Sequence, residues 1–127
     1  MFDAIHHVAI ICSDIVRSKA FYLGTLGFTL INEEWRAARH SWKCDLVQGS
    51  IRLELFTFEE SPARPTRPEA IGLRHLAFSE ADLDMAIAHL VAAQVYVEPV
   101  RIDLATGRRF TFFSDPDGLP IELYEAA

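Results

Sequence analysis

The feature that most constrains this fold is an internal duplication. Sliding the sequence by 68 residues places IHHVAIICS (Ile5–Ser13) on LRHLAFSEA (Leu73–Ala81), which overlaps the segment GLRHLAFS (Gly72–Ser79), so that His7 falls on His75. The same offset aligns Glu54 with Glu122. It also aligns further identical residues, at Ala9/Ala77, Asp14/Asp82, Ala20/Ala88 and Leu55/Leu123. A single shared offset predicts two structural modules of one topology, each with one histidine and one glutamate in matching places.

Composition excludes several classes of protein. With 127 residues, 50% hydrophobic and 24% charged, the chain is expected to form one globular domain. A net charge of −6 argues against a nucleic-acid partner, because phosphate contact requires a basic face. The sequence has no run of 18 apolar residues and no leader pattern, so we expect no membrane partner and a cytoplasmic location. Cys12 and Cys44 are predicted to be reduced thiols.

Hydrophobic periodicity predicts a β-α-β-β-β order in each module. We place module one at residues 1–58, a proline-rich connector at 59–72 and module two at 73–127. Module one is predicted to have a helix from Asp14 to about Gly27 and strands at Ile5–Cys12, Phe28–Trp35, Trp42–Val47 and Ile51–Phe58. Module two is predicted to have a helix at Leu83–Ala93 and strands at Leu73–Ser79, Val95–Arg101, Arg109–Ser114 and Leu119–Glu125. The predicted fold class is α+β, with two tandem modules forming a curved, cup-like mixed sheet and helices on its outer face.

Strand alternation predicts that both histidines and both glutamates point away from the helices. His7 shares a face with the small residue Ala9, and His75 shares one with Ala77. Alternation also assigns Arg74 to the face opposite His75.

Each of these four residues alone has an ordinary explanation, since a lone histidine or glutamate on a strand is usually structural or solvated. Four such groups converging on one face would instead favour a divalent cation. Neutral imidazole and carboxylate suit Zn²⁺, Ni²⁺, Co²⁺, Mn²⁺ or Fe²⁺.

The segments IHHVAIICSDIVRSKAFYLGTLGF, LELF, GLRHLAFS and DPDGLPIELYE resemble the vicinal oxygen chelate superfamily over nearly the whole chain. The resemblance is greatest to glyoxalase I, whose ligand pattern is His-Glu-His-Glu. It implies metal ligation by His7, Glu54, His75 and Glu122, with nickel, cobalt or zinc as the expected metal. It further implies a homodimer with two sites, although one chain could build a site from its own two modules.

The resemblance implies a lyase or isomerase that acts on a small oxygenated substrate through a metal-stabilised enediolate. Glu122 is the implied catalytic base and Glu54 its symmetric partner. Two positions depart from glyoxalase I: Ile11 stands where relatives have an arginine that holds glutathione, and Phe58 stands where they tend to have asparagine. The implied enzyme is therefore glyoxalase-like, with a substrate that need not be a glutathione adduct.

Candidate substrate-binding residues follow from charge and aromatic character. Arginine forks suit carboxylate or phosphate groups, which favours an anionic small molecule. The candidates are Arg36, Arg39, Lys43, Arg108, Phe56 and Tyr124. Two alternatives stay open, namely a non-catalytic small-molecule binding or resistance protein of the same fold, and a transferase of the fosfomycin-resistance type.

Overall fold

The two halves of the chain build the same kind of sheet twice. The computed structural model describes every residue from Met1 to Ala127, and its residues divide into two units, Met1–Ala63 and Arg64–Ala127. Each unit contains one four-stranded mixed sheet and one α-helix that contacts the last strand of that sheet. The predicted α+β class with tandem modules is confirmed, and the strands form two separate hydrogen-bonded sheets. Neither helix has the length and apolar character that crossing a bilayer requires.

The elements of the first unit are β1 (Val8–Ile11), α1 (Ile15–Lys19), β2 (Thr29–Arg36), β3 (Ser41–Gln48) and β4 (Ile51–Phe56). The strand order of its sheet is β1-β4-β3-β2, with β1 parallel to β4 and the other pairs antiparallel. Helix α1 continues into a π-helical turn at Ala20–Thr25, and a short 3₁₀ turn at Ala37–Arg39 joins β2 to β3.

The elements of the second unit are β5 (Leu76–Glu80), α2 (Leu83–Ala92), β6 (Arg101–Ile102), β7 (Arg109–Ser114) and β8 (Pro120–Glu125). The strand order of its sheet is β5-β8-β7-β6, again with β5 and β8, the first and last strands in sequence, parallel to each other. Both helices begin at an aspartate of the duplicated sequence. Asp14 Oδ1 accepts from the N–H of Val16 at 3.0 Å, and Asp82 Oδ1 accepts from that of Met85 at 3.0 Å.

The parallel register is identical in the two units. Ala9 pairs with Glu54 between β1 and β4, and Ala77 pairs with Glu122 between β5 and β8. Both pairs are related by the 68-residue offset of the sequence. Buried residues on the opposite face of each sheet form a separate core with the helix of that unit. These cores include Ile10, Ile15, Tyr22, Leu53 and Leu55 in the first unit, and Leu83, Leu90, Phe113, Ile121 and Leu123 in the second.

One predicted strand is wrong. The segment Val95–Arg101 was expected to be a full strand, but regular pairing begins only at Arg101. Pro99 has no N–H to donate to a ladder. The segment is held instead at Glu98, whose N–H donates to Phe112 O at 2.9 Å and whose carbonyl accepts from Thr111 Oγ1 at 2.7 Å.

A charged cluster joins α2 to the sheet of the second unit. The Arg109 guanidinium contacts Asp84 of α2 at 3.0 Å and Glu125 of β8 at 2.8 Å. Hydrogen bonds from Arg109 hold the pKa of Glu125 below its usual value.

We predict that Arg109→Gln lowers the melting temperature by a few degrees near neutral pH. A lowered folded-state pKa stabilises the fold above the unfolded pKa, and this contribution is lost as the pH falls through the folded value. The difference in melting temperature between wild type and variant should therefore shrink towards about pH 3, as followed by circular dichroism. A difference that stays constant from pH 7 to that value would contradict this role of the ion pairs.

Candidate metal site

The first candidate pair lies where β1 begins beside β4. His7 directly precedes β1, and its Nε2 lies 3.5 Å from Oε1 of Glu54. Glu54 is buried, whereas the His7 side chain is 38% exposed. The other side of the imidazole faces His6, with 2.8 Å between the two Nδ1 atoms. This contact occupies Nδ1 and leaves Nε2 as the atom directed at the carboxylate.

The second pair repeats this arrangement beside β8. His75 precedes β5, and its Nε2 lies 3.3 Å from Oε1 of Glu122. The ring of His75 meets the ring of Phe112 edge-on, with 5.0 Å between centroids. Ala9 and Ala77 are the direct cross-strand neighbours of the two glutamates on the parallel strands.

The two modules differ on the other side of each glutamate. Asp45 of β3 is paired with Glu54, whereas Phe112 of β7 is paired with Glu122. Asp45 is buried and lies 3.3 Å from Lys43 Nζ and 3.8 Å from an Arg52 guanidinium nitrogen. In the first module, the charge of Asp45 is therefore balanced by Lys43 and Arg52. The second module has the aromatic ring of Phe112 at the position that corresponds to Asp45.

The donor spacing fits two ligands of one metal ion. Donors at about 2.1 Å from an ion, at angles of roughly 90–110°, are separated by about 3.0–3.4 Å. The separations of 3.3 and 3.5 Å lie within or just above this range, and they exceed the usual length of about 2.9–3.0 Å for an N–H···O hydrogen bond. Each unit gathers one imidazole and one carboxylate but no group of three or more ligating side chains.

Two of the predicted substrate-binding residues lie together near Glu54. The Arg36 guanidinium lies over the ring of Phe56, 5.0 Å from its centroid, and one of its nitrogens is 3.5 Å from Ser41 Oγ. Phe56 is two residues beyond Glu54 on β4 and shares its face. A third, Lys43, is paired with Phe56 across the strands, and its ammonium group is engaged by Asp45.

The other three lie in different settings. Arg39 is an exposed residue of the 3₁₀ turn, and Arg108 lies in the loop before β7. Tyr124 follows Glu122 on the same face, but its hydroxyl donates to Asp103 Oδ2 at 2.8 Å and contacts Thr106 Oγ1. This hydrogen bond from Tyr124 holds the pKa of Asp103 below its usual value. The Tyr124 hydroxyl therefore closes the loop between β6 and β7.

Neither cysteine is a nucleophile of this site. Cys12 and Cys44 are buried free thiols. Burial, reinforced by the negative charge of Glu33, raises the pKa of Cys44 to about 11, which leaves little thiolate at neutral pH.

The sequence reasoning missed a cavity of about 270 Å³ in the second unit, lined in part by His75 and Arg74. The prediction that Arg74 faces away from His75 is wrong. It assumed a strand from Leu73, but β5 begins at Leu76, so alternation does not apply to these two residues. The cavity also uses residues of the proline-rich segment, for which the sequence contained no signal of a folded conformation.

Comparison with known proteins agrees with this architecture. Residues 4–123 match the family model of the Glyoxalase/Bleomycin resistance protein/Dioxygenase superfamily. The uncharacterized protein YaeR of Escherichia coli (strain K12) is 58% identical over 122 residues, which cover 95% of each chain. The crystal structure of a glyoxalase family protein from Enterococcus faecalis superposes with a TM-score of 0.93 at 48% identity, covering 98% of each chain.

A more distant structure shares the fold. A mutant form of the fosfomycin-resistance protein FosX of Listeria monocytogenes, complexed with Mn(II) and 1S,2S-dihydroxypropylphosphonic acid, has a TM-score of 0.75 at 17% identity. The alignment covers 98% of this chain and 90% of FosX.

The duplicated βαβββ modules, the paired histidines and glutamates and the family match define the class of protein. The chain belongs to the Glyoxalase/Bleomycin resistance protein/Dioxygenase superfamily, also called the vicinal oxygen chelate superfamily. Within it, the chain is most similar to YaeR and the Enterococcus faecalis protein among the relatives described above. Members of this superfamily include metal-dependent enzymes and often bind divalent metals.

Proposed function

We propose that this protein is a divalent-metal-dependent lyase or isomerase of the glyoxalase I type. The observation that supports it most is the repetition of one His–Glu pair at the same strand register in both units, with Nε2–Oε1 separations of 3.5 and 3.3 Å. His7, Glu54, His75 and Glu122 would hold the ion, with nickel, cobalt or zinc as the favoured metals.

The charged groups around Glu54 favour a cation bound beside its carboxylate. Removing a carboxylate from water without a positive partner costs on the order of several kcal/mol. Glu54 is buried, and the basic groups near it, Lys43 and Arg52, are engaged by Asp45. His7 Nε2 lies 3.5 Å from Glu54 Oε1 and offers a further ligand atom, so a divalent ion bound between the two side chains would supply the positive charge that the Glu54 carboxylate needs.

The proposed chemistry is proton transfer between adjacent carbons. When bound, a divalent ion supplies Lewis-acid stabilisation of the negative charge that develops on two neighbouring substrate oxygens. Glu122 takes the α-proton from one carbon and returns it to the next, as a general base that becomes a general acid. Glu122 is favoured over Glu54 because its partner His75 lines the cavity of the second unit, through which a substrate can approach.

The substrate is proposed to be a small oxygenated molecule that need not carry glutathione. Ile11 and Phe58 replace the polar anchors of glyoxalase I, and they are 58% and 37% exposed. Exposed apolar side chains at these two positions offer no hydrogen bonds to a peptide-like thiol.

Metal content tests the proposed ligand set. We expect elemental mass spectrometry of untagged protein, after incubation with Ni²⁺, Co²⁺ or Zn²⁺, to find close to one ion per chain. His75→Ala should lose most of this metal, because one of four donors is removed. His89→Ala, which removes an exposed histidine on α2, is the matched control and should retain it. Equal metal content in wild type and His75→Ala, or none in either, would contradict the ligand assignment.

Glu122→Gln tests the assignment of the base. The amide of glutamine keeps an oxygen atom that can bind the metal, but it cannot accept the proton. We therefore expect turnover to fall by about 10²–10⁴-fold while metal content changes little. Turnover is followed by nuclear magnetic resonance in deuterated water, as formation of the 2-hydroxy acid from hydrated methylglyoxal and of the corresponding thioester from its glutathione adduct. Glu34→Gln, an exposed position on β2, is the control. Unchanged turnover in Glu122→Gln would overturn the base assignment.

We further propose a homodimer, in which the two His–Glu pairs that complete each site come from different chains. Closed two-fold dimers are the commonest soluble oligomers, and proteins of this fold often form them.

Mixing two inactive variants tests this arrangement. If sites are shared between chains, a hybrid dimer of His7→Ala and His75→Ala contains one fully mutated site and one intact site. Co-refolded variants should then recover about a quarter of wild-type turnover, because half of the dimers are hybrids with one good site each. No recovery, in a mixture that light scattering shows to be dimeric, would place each site within one chain.

A further inference from the structure

The cavity of the second unit is rich in arginine. Four guanidinium groups line it, from Arg64, Arg67, Arg74 and Arg101, together with the imidazole of His75. Only two carboxylates, those of Glu69 and Glu98, line the same space. A protein with a net charge of −6 thus concentrates positive charge at one opening beside a candidate metal ligand.

Arg64 builds the wall of this cavity. Its guanidinium donates to the carbonyls of Leu73 and Arg74 at 2.9 and 2.8 Å, and its Nε donates to Thr66 Oγ1 at 3.0 Å. Thr66 Oγ1 in turn donates to Gly118 O at 3.2 Å. These contacts fix the proline-rich segment to the turn before β8 and thereby hold the positions of the other arginines.

Arg101 is placed by aromatic rings. Its guanidinium carbon lies 5.0 Å from the centroid of Phe110 and 5.6 Å from that of Phe112. Phe112 is also the ring that meets His75 edge-on, so one side chain orients both the cation and the imidazole. The ion pair of Arg101 with Glu98 is 3.4 Å long and largely exposed, and such a pair contributes little.

The guanidinium groups of Arg67 and Arg74 are available to bind a ligand. Both are exposed residues that line the cavity, and neither forms a side-chain hydrogen bond or an ion pair within the chain. With Arg101 they supply three guanidinium groups directed at a space of about 270 Å³, close to the lower end of the volumes typical of ligand pockets. Guanidinium forks match the paired oxygens of carboxylate and phosphate groups.

We propose that this cavity is an anion subsite, in which Arg67, Arg74 and Arg101 bind a carboxylate or phosphate group of the substrate while its reacting carbons lie at His75 and Glu122. This inference rests on the proposed function for the role of the reacting end, but the subsite itself does not. It assigns substrate recognition to arginines other than Arg36, Arg39 and Arg108, none of which lines the cavity.

Anion binding is measured by isothermal titration calorimetry on the full chain, with inorganic phosphate and with propionate at constant ionic strength. We expect a millimolar dissociation constant for at least one anion, and the tighter of the two identifies the group that the subsite prefers. The double variant Arg67→Gln/Arg74→Gln and the single variant Arg101→Gln should each weaken binding by about 10-fold or more. Arg17→Gln removes one exposed positive charge from α1 and should leave binding within about 2-fold.

The variant His7→Ala distinguishes an anion bound to the metal from an anion bound to the arginines of the cavity. It removes a candidate metal ligand in the first unit and leaves every residue that lines the cavity intact. Retained phosphate or propionate binding in His7→Ala supports the subsite even if the proposed enzyme activity fails. Binding lost in His7→Ala but kept in the arginine variants would overturn it, because the anion would then reside on the metal. No binding at concentrations up to about 20 mM, or equal weakening by Arg17→Gln, would also overturn it.

Discussion

The parallel pairing of the first and last strand of each unit is the constraint on which the candidate site depends. This pairing sets Ala9 beside Glu54 and Ala77 beside Glu122, and it brings the histidine that precedes each first strand to within 3.5 Å of the glutamate. A shift of one residue in this pairing would turn each glutamate to the face that packs against the helix. The buried apolar residues on that opposite face, such as Ile10, make such a shift costly.

Duplication gave the two units the same geometry but different electrostatics. In the first unit, Asp45 stands opposite Glu54 and is balanced by Lys43 and Arg52. In the second, Phe112 takes the corresponding place, and an arginine-rich cavity lies beside His75. This divergence agrees with the proposed division of roles, in which both units would provide metal ligands and the second unit would also receive the charged end of a substrate.

Much of this architecture could be predicted from the sequence because each module can be compared with the other at a fixed offset of 68 residues. Matched identities at one offset predicted the two modules and the helix starts at Asp14 and Asp82. The failures lie where non-local contacts decide the conformation. Glu98 is held by Phe112 and Thr111 outside a regular ladder, and Arg64 folds the proline-rich segment through backbone carbonyls. Local propensity contains no information about either contact, so the arginine cavity could not be predicted.

We propose that two imidazoles and two carboxylates share one divalent ion. X-ray absorption at the cobalt or nickel edge of the metal-loaded protein tests it most directly, because imidazole rings produce distinctive outer-shell scattering. We expect two imidazole ligands per ion, with the remaining ligands oxygen atoms at about 2.0–2.2 Å. A spectrum with sulfur ligands, or with oxygen and no imidazole, would contradict it.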